Sequence, residues 1–226
     1  MIDFSAIPVV TYVFFGLFLL ASAVHLFFCY VENEKWRKIT KPMTCLMLLV
    51  AVMTWNIQAY TVWLALLFGW LGDVALLKKH KVLPFVLGML FFMVDHILNI
   101  ASVCLIAKPS WPFYVGAVVF LILFALIGYH FTTKIVHQKK IAFGGTVYFG
   151  LLTESFAFAI IGSALGYSNF LLLSIFGGLC FIVSDVFLSY SSFVRNFKRR
   201  DFFIMSTYLL AQLLVVGGLM LTLAIH

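Results

Sequence analysis

Four carboxylates in this 226-residue chain, Asp73, Asp95, Glu154 and Asp185, stand inside long apolar runs. Even on the lenient insertion scale a charge at mid-membrane costs about 2.5–3.5 kcal/mol, so such a residue faces a helix-bundle interior and marks a catalytic site, proton relay or substrate path. Polar neighbours lie at similar depth: His96 and Asn99, Tyr208 and Gln212, and the pair Lys41-Pro42. Two of the acids share a motif, Gly72-Asp-Val-Ala-Leu against Ser184-Asp-Val-Phe-Leu, and Asp185 lies 112 residues after Asp73, as Tyr208 lies 112 after His96. Two buried carboxyls suit acid–base work, because low dielectric favours the neutral form of a carboxyl and a second one nearby separates their protonation steps. One can donate a proton while the other activates water; a coupled pair is best treated as a unit.

Such residues need elements to hold them, and the composition defines which. The chain is 64% hydrophobic and only 10% charged, whereas a soluble domain is about 45–50% apolar and about 25% charged. A soluble globular protein is excluded. The apolar runs, 6–31, 42–56, 58–77, 82–107, 111–131, 141–164, 168–193 and 201–225, predict an all-α polytopic bundle of eight transmembrane helices in a single transmembrane domain, residues 1–226.

The net charge of +7 belongs to the loops. Lys35, Arg37, Lys38 and Lys41, then Lys78, Lys79 and Lys81, then Lys134, Lys139 and Lys140, then Arg195, Lys198, Arg199 and Arg200 fall on alternate connections, leaving only Lys108 of the 15 basic residues on the other side. The positive-inside rule then predicts four cytoplasmic basic loops and both termini outside. A bacterial inner membrane is the expected location, and nothing implies a nucleic-acid partner. Asp73 and Asp185 end inward-running spans, and His96 and Tyr208 sit on the returning ones, so the polar cluster belongs to the cytoplasmic half.

Further matches at the 112-residue offset, Val82/Val194, Phe85/Phe197, Phe91/Phe203 and Met93/Met205, raise the expectation of two parallel four-helix repeats, 1–112 and 113–226, each supplying one Asp to a shared cleft. Other features have plainer readings. Ala21-Ser22-Ala23 looks like a signal-peptidase site but lacks a basic lead, so the first segment reads as a retained span. Cys29, Cys45, Cys104 and Cys180 read as packing residues, with no C-x-x-C pair for a metal or disulfide. Gly144-Gly145, Gly177-Gly178 and Gly217-Gly218 read as sites of close helix packing. His25 reads as a satisfied polar residue. For Asp95 and Glu154 a structural and a functional role stand open.

The series Lys41-Pro42, Leu71-Gly-Asp73, His96, Ser184-Asp185 and Tyr208-Leu-Leu-Ala-Gln212 resembles the YhhN/TMEM86 family of lysoplasmalogenases in order and spacing from about residue 40 to about residue 215. Asn99 departs from the pattern, standing where a Tyr is expected three residues after the His, and Glu154 has no place in it. The resemblance implies an eight-span hydrolase that cleaves the vinyl ether bond of lysoplasmalogens, giving a fatty aldehyde and glycerophospho-ethanolamine or glycerophospho-choline. Its implied partners are the lysophospholipid substrate and membrane lipids, without cofactor or metal.

The residues are suited to that chemistry on independent grounds. Vinyl ether hydrolysis begins with protonation of the β-carbon, which requires an acid still protonated near neutral pH. Asp185 is assigned as acid, Asp73 as base and His96 as their partner. Tyr208, Gln212 and Asn99 are assigned to the substrate, and Lys41 either binds its phosphate or snorkels to the interface. Two other classes compete with this reading. Asp73, Asp95, His96, Glu154 and Asp185 also suit the relay of a proton-coupled transporter of a lipid or small amphiphile. A zinc hydrolase needs three ligands around an open position, and only His25 and His96 lie deep, with no H-x-x-x-H pair.

Overall fold

A computed structural model describes residues 5, 7–78, 82–107, 109–135 and 139–225. Asp3, Lys79, Lys81 and Lys108 lie outside the described residues. The described chain is all-helical, with eight α-helices: α1 (Val9–Tyr30), α2 (Glu34–Trp55), α3 (Tyr60–Ala75), α4 (Val82–Ala107), α5 (Trp111–Ile135), α6 (Lys139–Ala164), α7 (Leu171–Phe193) and α8 (Arg200–Leu223). Seven are long and apolar enough to cross a membrane. The exception is α3, whose 16 residues rise about 24 Å against a hydrocarbon core of about 30 Å; a 3₁₀ turn, Leu76–Lys78, extends it.

The second span corrects the sequence expectation. It is 22 residues long rather than short and begins at Glu34, so Lys41 and Pro42 lie two turns inside it rather than at its start. Charges ended the apolar run at residue 42, but the helix continues beyond the apolar zone and carries them on its exposed turns. Asn33 caps it by accepting from the Trp36 amide at 3.3 Å. Pro42 removes one helix donor, and its own carbonyl accepts from Trp70 Nε1 of α3 at 2.9 Å. Pro84 and Pro112 fall in the first turns of α4 and α5, where no helix bond is lost. At the far end of α6, Gly166 takes φ +78°, with Tyr167 N bonded to Gly162 O and Gly166 N to Ser163 O, both at 3.0 Å. That is a Schellman stop.

Consecutive helices pack as hairpins, α1–α2, α3–α4, α5–α6 and α7–α8, and α8 also touches α1, α2, α3 and α4. The last helix is therefore central to the bundle, with Tyr208, Ala211, Gln212 and Leu219 buried along it. Glycine permits the closest approach. A Cβ on Gly177 would stand 2.7 Å from Val215 N and 2.9 Å from Ala211 O, and one on Gly218 2.8 Å from Phe170 O, so α7 and α8 meet almost backbone to backbone. Gly178 and Gly144 also face close neighbours, whereas Gly217 faces open space and does not serve packing.

On the outside, α1 exposes Val13, Leu17 and Leu20, and α5 exposes Val118, Ile122 and Leu126. Apolar surface of this extent requires lipid as its solvent. The described helix ends that flank the four basic connections lie toward one end of the bundle. Arg199 N donates to Glu32 Oε1 at 2.7 Å and its guanidinium lies 3.9 Å over the Tyr30 ring, joining the α7–α8 and α1–α2 loops. Phe85 meets Phe193 edge-on at 5.5 Å, placing the start of α4 beside the end of α7. The early part of α6 is brought to the same end by Tyr148, which reaches Asp185 in the later turns of α7.

Candidate active site

Near that end the site is built from pairs spaced four residues apart, which fall on one helix face. Lys41 and Cys45 share a face of α2, Gly69 and Asp73 of α3, Asp95 and Asn99 of α4, and Tyr208 and Gln212 of α8. Asp73, only 2% exposed, is bonded through both of its carboxylate oxygens. Its Oδ1 pairs with Lys41 Nζ at 3.1 Å. Its Oδ2 accepts from Tyr208 Oη at 2.8 Å and from Cys45 Sγ at 3.3 Å. Cys45 Sγ also lies 3.4 Å from Tyr208 Oη, and Gln212 Nε2 donates to that phenol at 3.3 Å.

The second carboxyl is held differently. Asp185, half-buried on α7, receives the Tyr148 hydroxyl from α6. Its neighbour Ser184 donates to Ile204 O of α8 at 3.0 Å, fixing that turn of α7. Asp73 and Asp185 line one cavity of about 60 Å³, together with Lys41, Phe92 and Tyr208, which opens past Lys38 and Glu34. A space of that size holds a few water molecules. Phe92 meets Phe181 and Tyr208 edge-on at 6.1 and 5.9 Å. Gly72 makes the room for it, since a Cβ there would come within 2.7 Å of the Phe92 ring.

A second polar layer lies behind the cavity. Asp95, 1% exposed, accepts from Asn99 Nδ2 at 3.0 Å through Oδ1, while its Oδ2 is buried without a hydrogen-bond partner. Gly69 separates this carboxyl from Gln212: a Cβ at 69 would stand 3.3 Å from Gln212 Nε2 and 3.6 Å from Asp95 Oδ2. His96 is packed by Phe181 at 4.8 Å and Tyr148 at 5.8 Å between ring centroids, and its Nε2 has no hydrogen-bond partner.

Of the residues singled out from the sequence, Asp73, Asp185, Lys41 and Tyr208 thus meet at the cavity. Gln212 reaches it through Tyr208. His96 and Asn99 stand in the layer behind, and Glu154 is buried on α6 with Oε2 unpartnered. Lys41, expected either at a phosphate or at the interface, is turned to Asp73. His25 is satisfied, with Nδ1 2.8 Å from Thr40 Oγ1 and Nε2 3.5 Å from Cys29 Sγ. Among the described residues no three His, Cys, Asp or Glu side chains converge as a metal site, and none of the four cysteines is in a disulfide.

Two site residues escaped the sequence reading. Cys45 was expected to be packing alone, yet its thiol bonds Asp73; the signal was its position four residues after Lys41. Tyr148 carries no motif, and only the packing of α6 on α7 discloses its role.

A multi-helix membrane protein with two carboxylates of different surroundings facing one polar cavity is the class these features define. The YhhN family profile matches residues 36–219, and the chain belongs to the YhhN family. No curated protein and no solved structure matches it.

Proposed function

We propose that the protein is a lysoplasmalogenase that hydrolyses the vinyl ether bond of a single-chain alkenyl phospholipid at the Asp73–Asp185 cavity. The observation that carries this reading is the contrast between the two carboxyls. An ammonium, a phenol and a thiol all donate to Asp73, a setting that suits an acceptor-only carboxylate. Asp185 has the Tyr148 hydroxyl, which can donate or accept and so serves either protonation state.

The Asp185 carboxyl gives its proton to the β-carbon, and the ether oxygen lends its electron pair to form an oxocarbenium ion. Asp73 takes a proton from water as the oxygen bonds to the cationic carbon, giving a hemiacetal. Asp73 then returns that proton to the departing glycerol oxygen while Asp185 removes the hemiacetal hydroxyl proton. Aldehyde and glycerophospho-alcohol leave, and both carboxyls regain their starting states. Tyr208 and Tyr148 orient the two acids, and Gln212 orients Tyr208. His96 and Asn99 support the layer behind. The cavity is too small for the alkenyl chain, so the chain lies along the apolar helix faces.

The basic end of the bundle is the cytoplasmic one in this account, with both termini outside and a bacterial inner membrane as the setting. A proton-coupled transporter would draw on the unpartnered oxygens of Asp95 and Glu154, but that reading leaves the differing surroundings of Asp73 and Asp185 without a purpose.

Substrate selectivity tests the proposal. An alkyl ether lysolipid of equal length has no alkene to protonate, and a lyso-ester would need a nucleophile with oxyanion donors. Both are expected to inhibit competitively without being cleaved, and turnover of the alkenyl lipid is expected to slow in heavy water. Rapid cleavage of the lyso-ester would replace this mechanism with acyl transfer.

A further inference from the structure

A phosphate bound at this site has to be met by a side chain other than Lys41, whose ammonium is occupied 3.1 Å from Asp73. The cavity mouth carries a second lysine on the same face of α2. Glu34, Lys38 and Lys41 follow at i, i+4 and i+7, one stripe of the helix, and all three line the cavity. Lys38 Nζ lies 2.6 Å from Glu34 Oε1, with the two side chains 49% and 62% exposed. An exposed pair of this kind contributes about 0–1 kcal/mol, so a ligand carrying both charges can displace that ion pair at small cost. Trp36 in the same turns is 48% exposed and stacked on Phe28 at 5.6 Å, an aromatic residue of the kind that gathers at the depth of lipid head groups.

We infer that Glu34 and Lys38 form the head-group site of the hydrolase proposed above and select a zwitterionic phosphodiester, Lys38 taking the phosphate and Glu34 the ammonium. The spacing agrees. At about 1.5 Å per residue, Lys38 stands about 4.5 Å and Glu34 about 10.5 Å along the axis from the level of Lys41 and Asp73. In an alkenyl glycerophospholipid, roughly six bonds separate the reacting carbon from phosphorus and roughly four more reach the nitrogen, spans of about 7 and about 12 Å. Long side chains close the difference. An anionic head without an ammonium would bring a net negative charge beside Glu34 with no cation to offset it, a like-charge approach that discriminates against it.

The inference rests on the hydrolase reading for its geometry, but binding tests it separately. Two uncleavable alkyl ether lysolipids of one chain length, with phosphoethanolamine and phosphoglycerol heads, are titrated into the purified full chain in detergent. Free glycerophosphoethanolamine serves as a third ligand. The wild type is expected to bind the zwitterionic lipid about tenfold more tightly than the anionic one. Glu34→Gln is expected to abolish that preference by weakening the zwitterion alone, and Lys38→Gln to weaken both lipids. Glu34→Lys is expected to reverse the order. Weak binding of the free head group would assign the site to the lipid; binding as tight as the lysolipid's would assign it to the soluble phosphodiester and overturn the lipid assignment. An unchanged preference in Glu34→Gln overturns the inference. The expected binding pattern without cleavage of the alkenyl lipid would leave the head-group site standing and remove the hydrolase.

Discussion

The phenol of Tyr208 donates to Asp73 Oδ2 at 2.8 Å, joining the end of the third helix to the middle of the eighth across the centre of the bundle. The same hydroxyl receives Gln212 Nε2 and lies against Cys45 Sγ. One oxygen thereby holds together side chains from α2, α3 and α8 around the carboxylate assigned as base.

Tyr208→Phe isolates that oxygen. The ring keeps its edge contacts with Phe92 and Phe181 at 5.9 and 5.5 Å, so the fold should survive. A hydrogen bond to a charged group is worth about 1.5–3 kcal/mol, and kcat should fall roughly 10- to 100-fold with KM little changed. Steady-state kinetics with kcat within twofold of wild type would remove Tyr208 from the positioning of Asp73.

Helix packing gives a matched pair. Gly177→Val drives a side chain into the backbone of α8, and overpacking typically costs about 1–3 kcal/mol. Gly217→Ala meets nothing within 4 Å and should be neutral. Thermal unfolding in detergent should show a clear drop for the first and none for the second; equal curves would refute the close approach of α7 and α8.

Orientation is tested with single exposed cysteines. Asn169→Cys lies in the α6–α7 connection and Lys198→Cys in the basic α7–α8 connection. A membrane-impermeant maleimide applied to intact cells should reach position 169, and position 198 only after permeabilisation. The opposite pattern would move the site to the outer face.

The parts of the fold that follow from lipid as solvent were legible in the residues. An apolar run must satisfy its backbone internally and becomes a helix, and half of the acids stood within such runs. The start of α2 was not, because Glu34, Lys35, Arg37 and Lys38 read as loop charges although a helix can carry charge on its exposed turns beyond the apolar zone. Asp73, Asp185 and Tyr208 were visible as polar residues in costly places. Tyr148 was not, since a tyrosine in an aromatic-rich helix has no cost that marks it. Nor was the destination of the Lys41 charge: a lysine near a helix end can face lipid phosphate or a buried carboxylate, and tertiary packing decides.

The central claim, that Asp73 and Asp185 hydrolyse a vinyl ether, is tested most directly by aldehyde release from a lysoplasmalogen by the purified protein in detergent. The wild type is expected to release aldehyde in proportion to lipid consumed. Asp73→Asn and Asp185→Asn should each lose at least ~10²-fold, the typical cost of removing a general acid or base, and Asp95→Asn should lose less. Absence of aldehyde from the folded wild type, or near-normal turnover in either of the first two variants, would contradict the account.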